Sequence, residues 1–96
     1  MKRSRPILMI VDDEALLRRR LAAHLEALGA DVTTVETLEA ARNQIAALEF
    51  DFVLLDIHLP DGLGLDLLRK GAMPPTTGVI VMTAQGAKFA ARAAAA

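Results

Sequence analysis

The chain of 96 residues contains no cysteine. That excludes disulfide staples, thiolate nucleophiles and cysteine-ligated zinc, and it suits a reducing compartment. Neither sign of charge dominates: 11 Lys plus Arg stand against 12 Asp plus Glu, so bulk charge gives no reason to expect a protein that wraps nucleic acid. No apolar run reaches the roughly 20 residues a membrane-spanning helix needs. The basic start, Met1-Lys2-Arg3-Ser4-Arg5, is followed by six residues before Asp12 and Asp13 intervene. That core is too short for a convincing signal peptide, and the basic arm reads as a solvated lead-in. Also missing are a glycine-rich nucleotide loop with its Lys, a motif-tied Ser-His-Asp grouping, zinc spacing, an internal repeat and a domain linker. What remains is a single domain, residues 1–96, able to bury roughly 60–65% of its unfolded surface.

What is present is organised around residues 50–64, FDFVLLDIHLPDGLG. An almost continuous apolar run reads as a strand covered on both faces, as in an α/β sheet. It ends at Asp56, after which Pro60, Asp61, Gly62 and Gly64 break the chain. Residues 7–11 form a similar run, closed by Asp12-Asp13-Glu14. From Ala15 the period becomes helical, with Leu17, Leu21, Leu25 and Leu28 on one stripe and Gly29 as the stop. His24 falls on the surface of that helix. β-formers in residues 30–35 suggest a second strand. Thr37 then caps a helix to about Leu48, with Leu38, Ala41, Ile45 and Leu48 facing inward. A short helix bearing Leu65, Leu67 and Leu68 follows the third strand, and residues 79–82 make a fourth. The alanine-rich residues 87–96 favour helix, with Phe89 as the one large apolar anchor. Alternating strands and helices predict an α/β fold with a mostly parallel sheet and right-handed crossovers.

On this plan Asp12, Asp13, Asp56 and Thr83 all fall at the C-terminal ends of parallel strands, the rim where open α/β sheets place their chemistry. Three clustered carboxylates repel one another unless a cation joins them, and oxygen-only ligands suit Mg²⁺ or Mn²⁺. A carboxylate beside such an ion can act as a nucleophile toward a phosphoryl group. Thr83 could donate a hydrogen bond to a phosphoryl oxygen. Plainer roles stand beside these: Asp12 and Asp13 as caps of the first helix, Asp56 as a turn former, His58 as a loop filler, and Gly62 and Gly64 as turn residues.

The ordered set resembles a bacterial response-regulator receiver domain. It comprises an acidic pair after the first strand, Asp56 after the third, Leu59-Pro60 with Gly64 in the next loop, and Thr83-Ala84 after the fourth. Residues 7–85 carry the likeness, and VIVMTAQ with DIHLPDGLGLDLL is most similar to receivers that precede transcription-factor modules. The resemblance implies a CheY-like (flavodoxin-like) fold with helices on both faces. It implies that Asp56 is the phospho-acceptor and that Asp13 and Asp56 bind Mg²⁺ (Mn²⁺ as a substitute), with Asp12 close by and the His58 backbone carbonyl completing the set. Thr83 would hold the phosphoryl oxygen with help from the Ala84 backbone N–H, while His58 and Gln85 would tune loss of the group. This chemistry is self-phosphorylation and self-dephosphorylation, not conventional enzymatic turnover.

The implied donor is the phosphohistidine of a sensor histidine kinase, and the implied place is the cytoplasm, away from membranes. A homodimer or an attached DNA-binding module would read out the change, with no direct nucleic-acid contact by this domain. The family pattern also has a fifth strand bearing a Lys, then a fifth helix. Residues after Gly86 do not supply these, and Lys88-Phe89 follows Thr83 too closely to match. The expectation is therefore a receiver that is incomplete at its C-terminal side, with four strands evident and a fourth helix after them. The alternative function is a phosphorylation-independent interaction module. A metal-dependent phosphohydrolase is disfavoured because Asp61 does not stand two positions after Asp56.

Overall fold

The computed structural model describes residues 5–71, 73–82 and 91–93. Four parallel strands form the body of the sheet: β1 (Ile7–Val11), β2 (Asp31–Val35), β3 (Phe52–Asp56) and, after the short strands β4 (His58–Leu59) and β5 (Gly62–Leu63), β6 (Gly78–Met82). Helices α1 (Ala15–Ala27) and α2 (Leu38–Ala47) make the first two crossovers, and a 3₁₀ segment at Gly64–Gly71 begins the third. The order is β2-β1-β3-β6. The chain thus steps outward from β1 to β2 and then returns past β1 to β3, so the direction of winding reverses between β1 and β3. A crevice opens at the strand C-termini where winding reverses.

Register divides the sheet into two faces. Met9 pairs with Val53 and Val53 with Val79, while Val11 pairs with Leu55 and Leu55 with Val81. These six residues share the face that packs with Leu38 and Ala41 of α2 and Leu67 of the 3₁₀ segment, and all nine are buried. Leu8 and Ile10 point the other way and are also buried, on the side where α1 lies against β1 and β2. Burial on both faces is why β1 reads as an unbroken apolar run, whereas β3 is buried on the α2 face and only partly covered on the other. The cover on the second face is thinner: α1 has no buried residue, and Phe52 is 46% exposed.

Local chemistry sets the boundaries. Helix α1 ends in a Schellman motif, with Gly29 at φ 102°. The Gly29 N–H reaches the Glu26 carbonyl (3.0 Å) and the Ala30 N–H reaches that of Leu25 (3.1 Å). Thr37 caps α2 by accepting from the Ala40 N–H at 3.0 Å. At the rim opposite the crevice the strand starts are stitched together. Asp51 N–H donates to the Ile7 carbonyl, Ile7 N–H to Asp51 Oδ2, and Gly78 N–H to the Asp51 carbonyl. Buried Thr77 donates its hydroxyl to the Phe50 carbonyl at 2.8 Å. Thr77→Val keeps the shape and removes that donor, so it is expected to cost about 1 kcal/mol. The melting temperature should fall by about 4–8 °C, followed by far-UV circular dichroism; an unchanged melt would assign the bond no net value.

Several expectations change. The inward stripes are shorter than the sequence suggests: Leu28 is 73% exposed because it sits at the α1 C-cap, and Leu48 is exposed at the C-cap of α2. The short helix after β3 is a 3₁₀ segment, and residues 60–64, expected as loop, hold the turn and second strand of the antiparallel pair β4–β5. Residues 91–93, expected as helix, form a strand, β7 (Ala91–Ala93), antiparallel to β6. Beyond β6 the sheet has an open edge, and pairing there satisfies backbone groups that alanine helix propensity alone would leave exposed. The rest of that expected fourth helix lies outside the described residues.

Candidate functional site

Asp12 and Asp13 follow β1, and Asp56 ends β3, the two strands that flank the reversal of winding. Register places Val11 opposite Leu55, so residues more than 40 positions apart in sequence arrive at one rim. The three carboxylates can each present an oxygen within 4.8 Å of the others. Asp12 is buried, Asp56 half-buried and Asp13 exposed. Among the described residues no salt bridge reaches any of them. Charges at this separation in a partly desolvated rim repel by a few kcal/mol per pair, as an order of magnitude.

The titration of two members records that environment. Burial pushes the Asp12 carboxyl up, and the charges of Asp56, Asp13 and Glu14 push the same way, against a hydrogen bond from the Glu14 N–H. That bond is 2.8 Å long to Asp12 Oδ1 and closes an Asx turn just ahead of α1. The N-cap position is Glu14, with no side-chain cap bond, so Asp12 does not cap the helix as expected. Burial also raises Asp56, with the Asp13 charge adding to it, while the backbone N–H groups of His58 and Ile57 oppose the rise. Arg18, which the sequence reading did not single out, binds the Asp12 main-chain carbonyl at 2.8 Å and faces Glu36 at 3.8 Å. It fixes the backbone beneath the cluster without neutralising it.

The segment after Asp56 is built tightly. In β4–β5, His58 pairs with Leu63 and Leu59 with Gly62, and Gly64 N–H donates to the Ile57 carbonyl at 2.6 Å. Leu59 is buried while the His58 side chain is exposed, so the backbone of His58 is the part that faces Asp56. Gly64 passes so close to the Asp56 carbonyl oxygen that no side chain fits there. At the tip of this hairpin Asp61 accepts the Leu38 N–H at 2.8 Å through Oδ1 and the Glu39 N–H at 3.0 Å through Oδ2. Those bonds hold its carboxyl below the ordinary carboxylate range. No local pattern in the sequence announces a partner 23 positions away.

Asp12, Asp13 and Asp56 are therefore brought together as expected. His58 adjoins them through its backbone, and His24 lies exposed on α1. Thr83, Ala84 and Gln85 lie outside the described residues; β6 ends at Met82, which pairs with Asp56. A hard divalent cation fits the donor set: three carboxylates, oxygen ligands only, and no salt bridge to any of them among the described residues.

Comparison with known proteins agrees with this geometry. Residues 8–96 match the family model described as "Response regulator receiver domain". The response regulator protein PilR of Pseudomonas aeruginosa is 38% identical over 84 residues, covering 86% of this chain and 19% of PilR. The KDP operon transcriptional regulatory protein KdpE of Escherichia coli is 36% identical over 77 residues, 80% of this chain and 34% of KdpE. The chain thus spans about a fifth to a third of these relatives' length. A crystal structure of a response regulator from Burkholderia pseudomallei, described with a phosphorylated aspartic acid, calcium ion and citrate, superposes with a TM-score of 0.77. It is 25% identical, over 84% of this chain and 48% of that one. No helix among the described residues is long and apolar enough to cross a membrane. With its four parallel strands, its reversal at β1 and β3 and its carboxylates gathered there, the chain belongs to the response regulator receiver domain family.

Proposed function

We propose that this domain takes a phosphoryl group onto Asp56 and uses it as a signal. The observation that carries the reading is the meeting of Asp12, Asp13 and Asp56 within 4.8 Å at the β1–β3 reversal, with Asp56 on the strand end. Asp13 and Asp56 would hold Mg²⁺ (or Mn²⁺) directly, with Asp12 beside them and the His58 carbonyl as a further oxygen. When bound, the ion offsets charge on the transferring oxygens. An Asp56 oxygen attacks phosphorus while the phosphorus–nitrogen bond of the donor phosphohistidine breaks. The imidazole leaves with the bonding electrons and takes up a proton, and an aspartyl phosphate remains. Thr83 and the Ala84 N–H would bind the phosphoryl oxygens, and His58 and Gln85 would govern the approach of water that later removes the group.

The donor in this reading is a sensor histidine kinase, and the setting is the cytoplasm. The similarity to KdpE, whose name describes a transcriptional regulatory protein, supports an attached or partner DNA-binding module, or a homodimer, as the output. The test uses the protein with Mg²⁺ and acetyl phosphate, where acetate replaces imidazole as leaving group, and reads intact mass. The wild type is expected to gain one phosphoryl group and Asp56→Asn none. A folded wild type that gains nothing, or an Asp56→Asn protein that gains as much, would overturn the assignment.

A further inference from the structure

Asp61 sits five positions beyond Asp56, at the turn of the β4–β5 hairpin. Its two carboxylate oxygens divide between the first two N–H groups of α2, those of Leu38 and Glu39. The third, that of Ala40, is already taken by Thr37. Helix N-termini leave such donors unpaired, and an exposed one can be served by water. Using a carboxylate 23 positions away therefore adds something beyond a cap: it ties the hairpin tip to the helix. An apolar contact reinforces the tie. Gly62 follows Asp61 with φ 148°, and a Cβ there would lie 2.7 Å from Leu38 Cδ1, so the turn rests directly on a residue of the core. At its other end the hairpin is closed by the Gly64–Ile57 hydrogen bond. Between the two fastenings lies His58, two positions past Asp56, its backbone N–H close enough to the Asp56 carboxylate to favour the charged form.

We propose that Asp61 is a positioning residue, which by bridging the hairpin tip to the α2 N-terminus holds the His58 backbone against Asp56. Its consequence for cation and phosphoryl binding rests on the phosphoacceptor reading; the geometric claim does not. Removing a cap from α2 and releasing the hairpin are separable, because Thr37 caps the same helix without touching the loop.

The test compares wild type, Asp61→Ala, Asp61→Asn and Thr37→Ala. Amide hydrogen exchange at His58 is followed by NMR in EDTA, and Mg²⁺ affinity by calorimetry, since the chain has no Trp or Tyr to report it. In Asp61→Ala the His58 amide should exchange about fivefold faster, the factor that a cap's usual worth converts to. Mg²⁺ should bind about tenfold more weakly, as when a group that orients metal ligands is lost. Asp61→Asn, which keeps one acceptor oxygen, should fall between. Thr37→Ala should lower the melting temperature comparably while leaving His58 exchange and Mg²⁺ affinity at wild-type values. His58 exchange unchanged in Asp61→Ala, or accelerated equally in Thr37→Ala, overturns the proposal. A wild type that accepts no phosphoryl group would sink the phosphoacceptor reading and leave this exchange comparison intact.

Discussion

At a Mg²⁺ concentration about a hundredfold above its dissociation constant, the wild-type domain is expected to gain about 2.7 kcal/mol over the protein in EDTA. For a chain this short that raises the melting temperature by about 10–20 °C. The reason lies in the uncompensated carboxylates. Burial and the neighbouring Asp13 charge raise the Asp56 carboxyl above its ordinary value of 3.8, and burial raises Asp12 likewise. Folded protein therefore binds more protons than unfolded protein just above that value. The stability these two groups contribute is fully present below it and is lost as pH rises through their folded values. At neutral pH the cluster is a net cost in the metal-free state, which Mg²⁺ bound as proposed would remove. Two differences isolate the effect from other titrating groups. In EDTA at neutral pH, Asp56→Asn should melt above wild type, with the gap closing as pH falls toward about 4. In Mg²⁺ the order should reverse, because the variant would lack one of the proposed ligands. Thermal melts across pH with and without Mg²⁺ check this; a wild type more stable than Asp56→Asn in EDTA at neutral pH would contradict it.

Gly64→Ala is expected to be the most damaging single methyl addition in the segment. The new Cβ would overlap the Asp56 carbonyl oxygen, lie 3.0 Å from the Asp56 carbonyl carbon and 3.1 Å from Leu55 Cγ. The first two obstacles are backbone held in the sheet by pairing with β6, so no rotamer change relieves them. A loss of about 3 kcal/mol or more follows, a large fraction of the stability of a small domain. The melting temperature should drop by about 12 °C or more. Gly29→Ala offers the contrast: nothing lies within 4 Å of its Cβ, and only the positive φ opposes it, so its cost should be about 1 kcal/mol. Denaturant titration of both variants measures the difference; equal losses would mean that the segment shifts freely around Gly64.

The strands were legible because a sheet covered on both faces, fully at β1 and partly at β3, forces apolar runs that contrast with everything around them. Ile7–Val11 and Phe52–Asp56 appear with the boundaries their residues suggest. The helix signals at Thr37 and Gly29 also hold, since each acts through bonds to its own near neighbours. From strand order alone, Asp12, Asp13 and Asp56 could be placed at one rim. What could not be read is whatever depends on a distant partner. Two pairs of residues are too few for β4–β5 to show alternation, and Asp61 looks like any turn aspartate until α2 is beside it. The stripe on α1 misled for a related reason: periodicity marks a face, but the amount of cover comes from what packs on it, and here that face stays half open.

The bridge from Asp61 to α2 also has a thermodynamic side. Coupling between two sites on one molecule is reciprocal, whatever the route that carries it. If the hairpin holds the backbone beside the carboxylates and is itself held by the first turn of α2, stiffening either end favours the other. A protein that grips the first turn of α2 would raise the affinity of the carboxylate cluster for its cation by one factor. By that same factor the cation would raise the affinity for the protein.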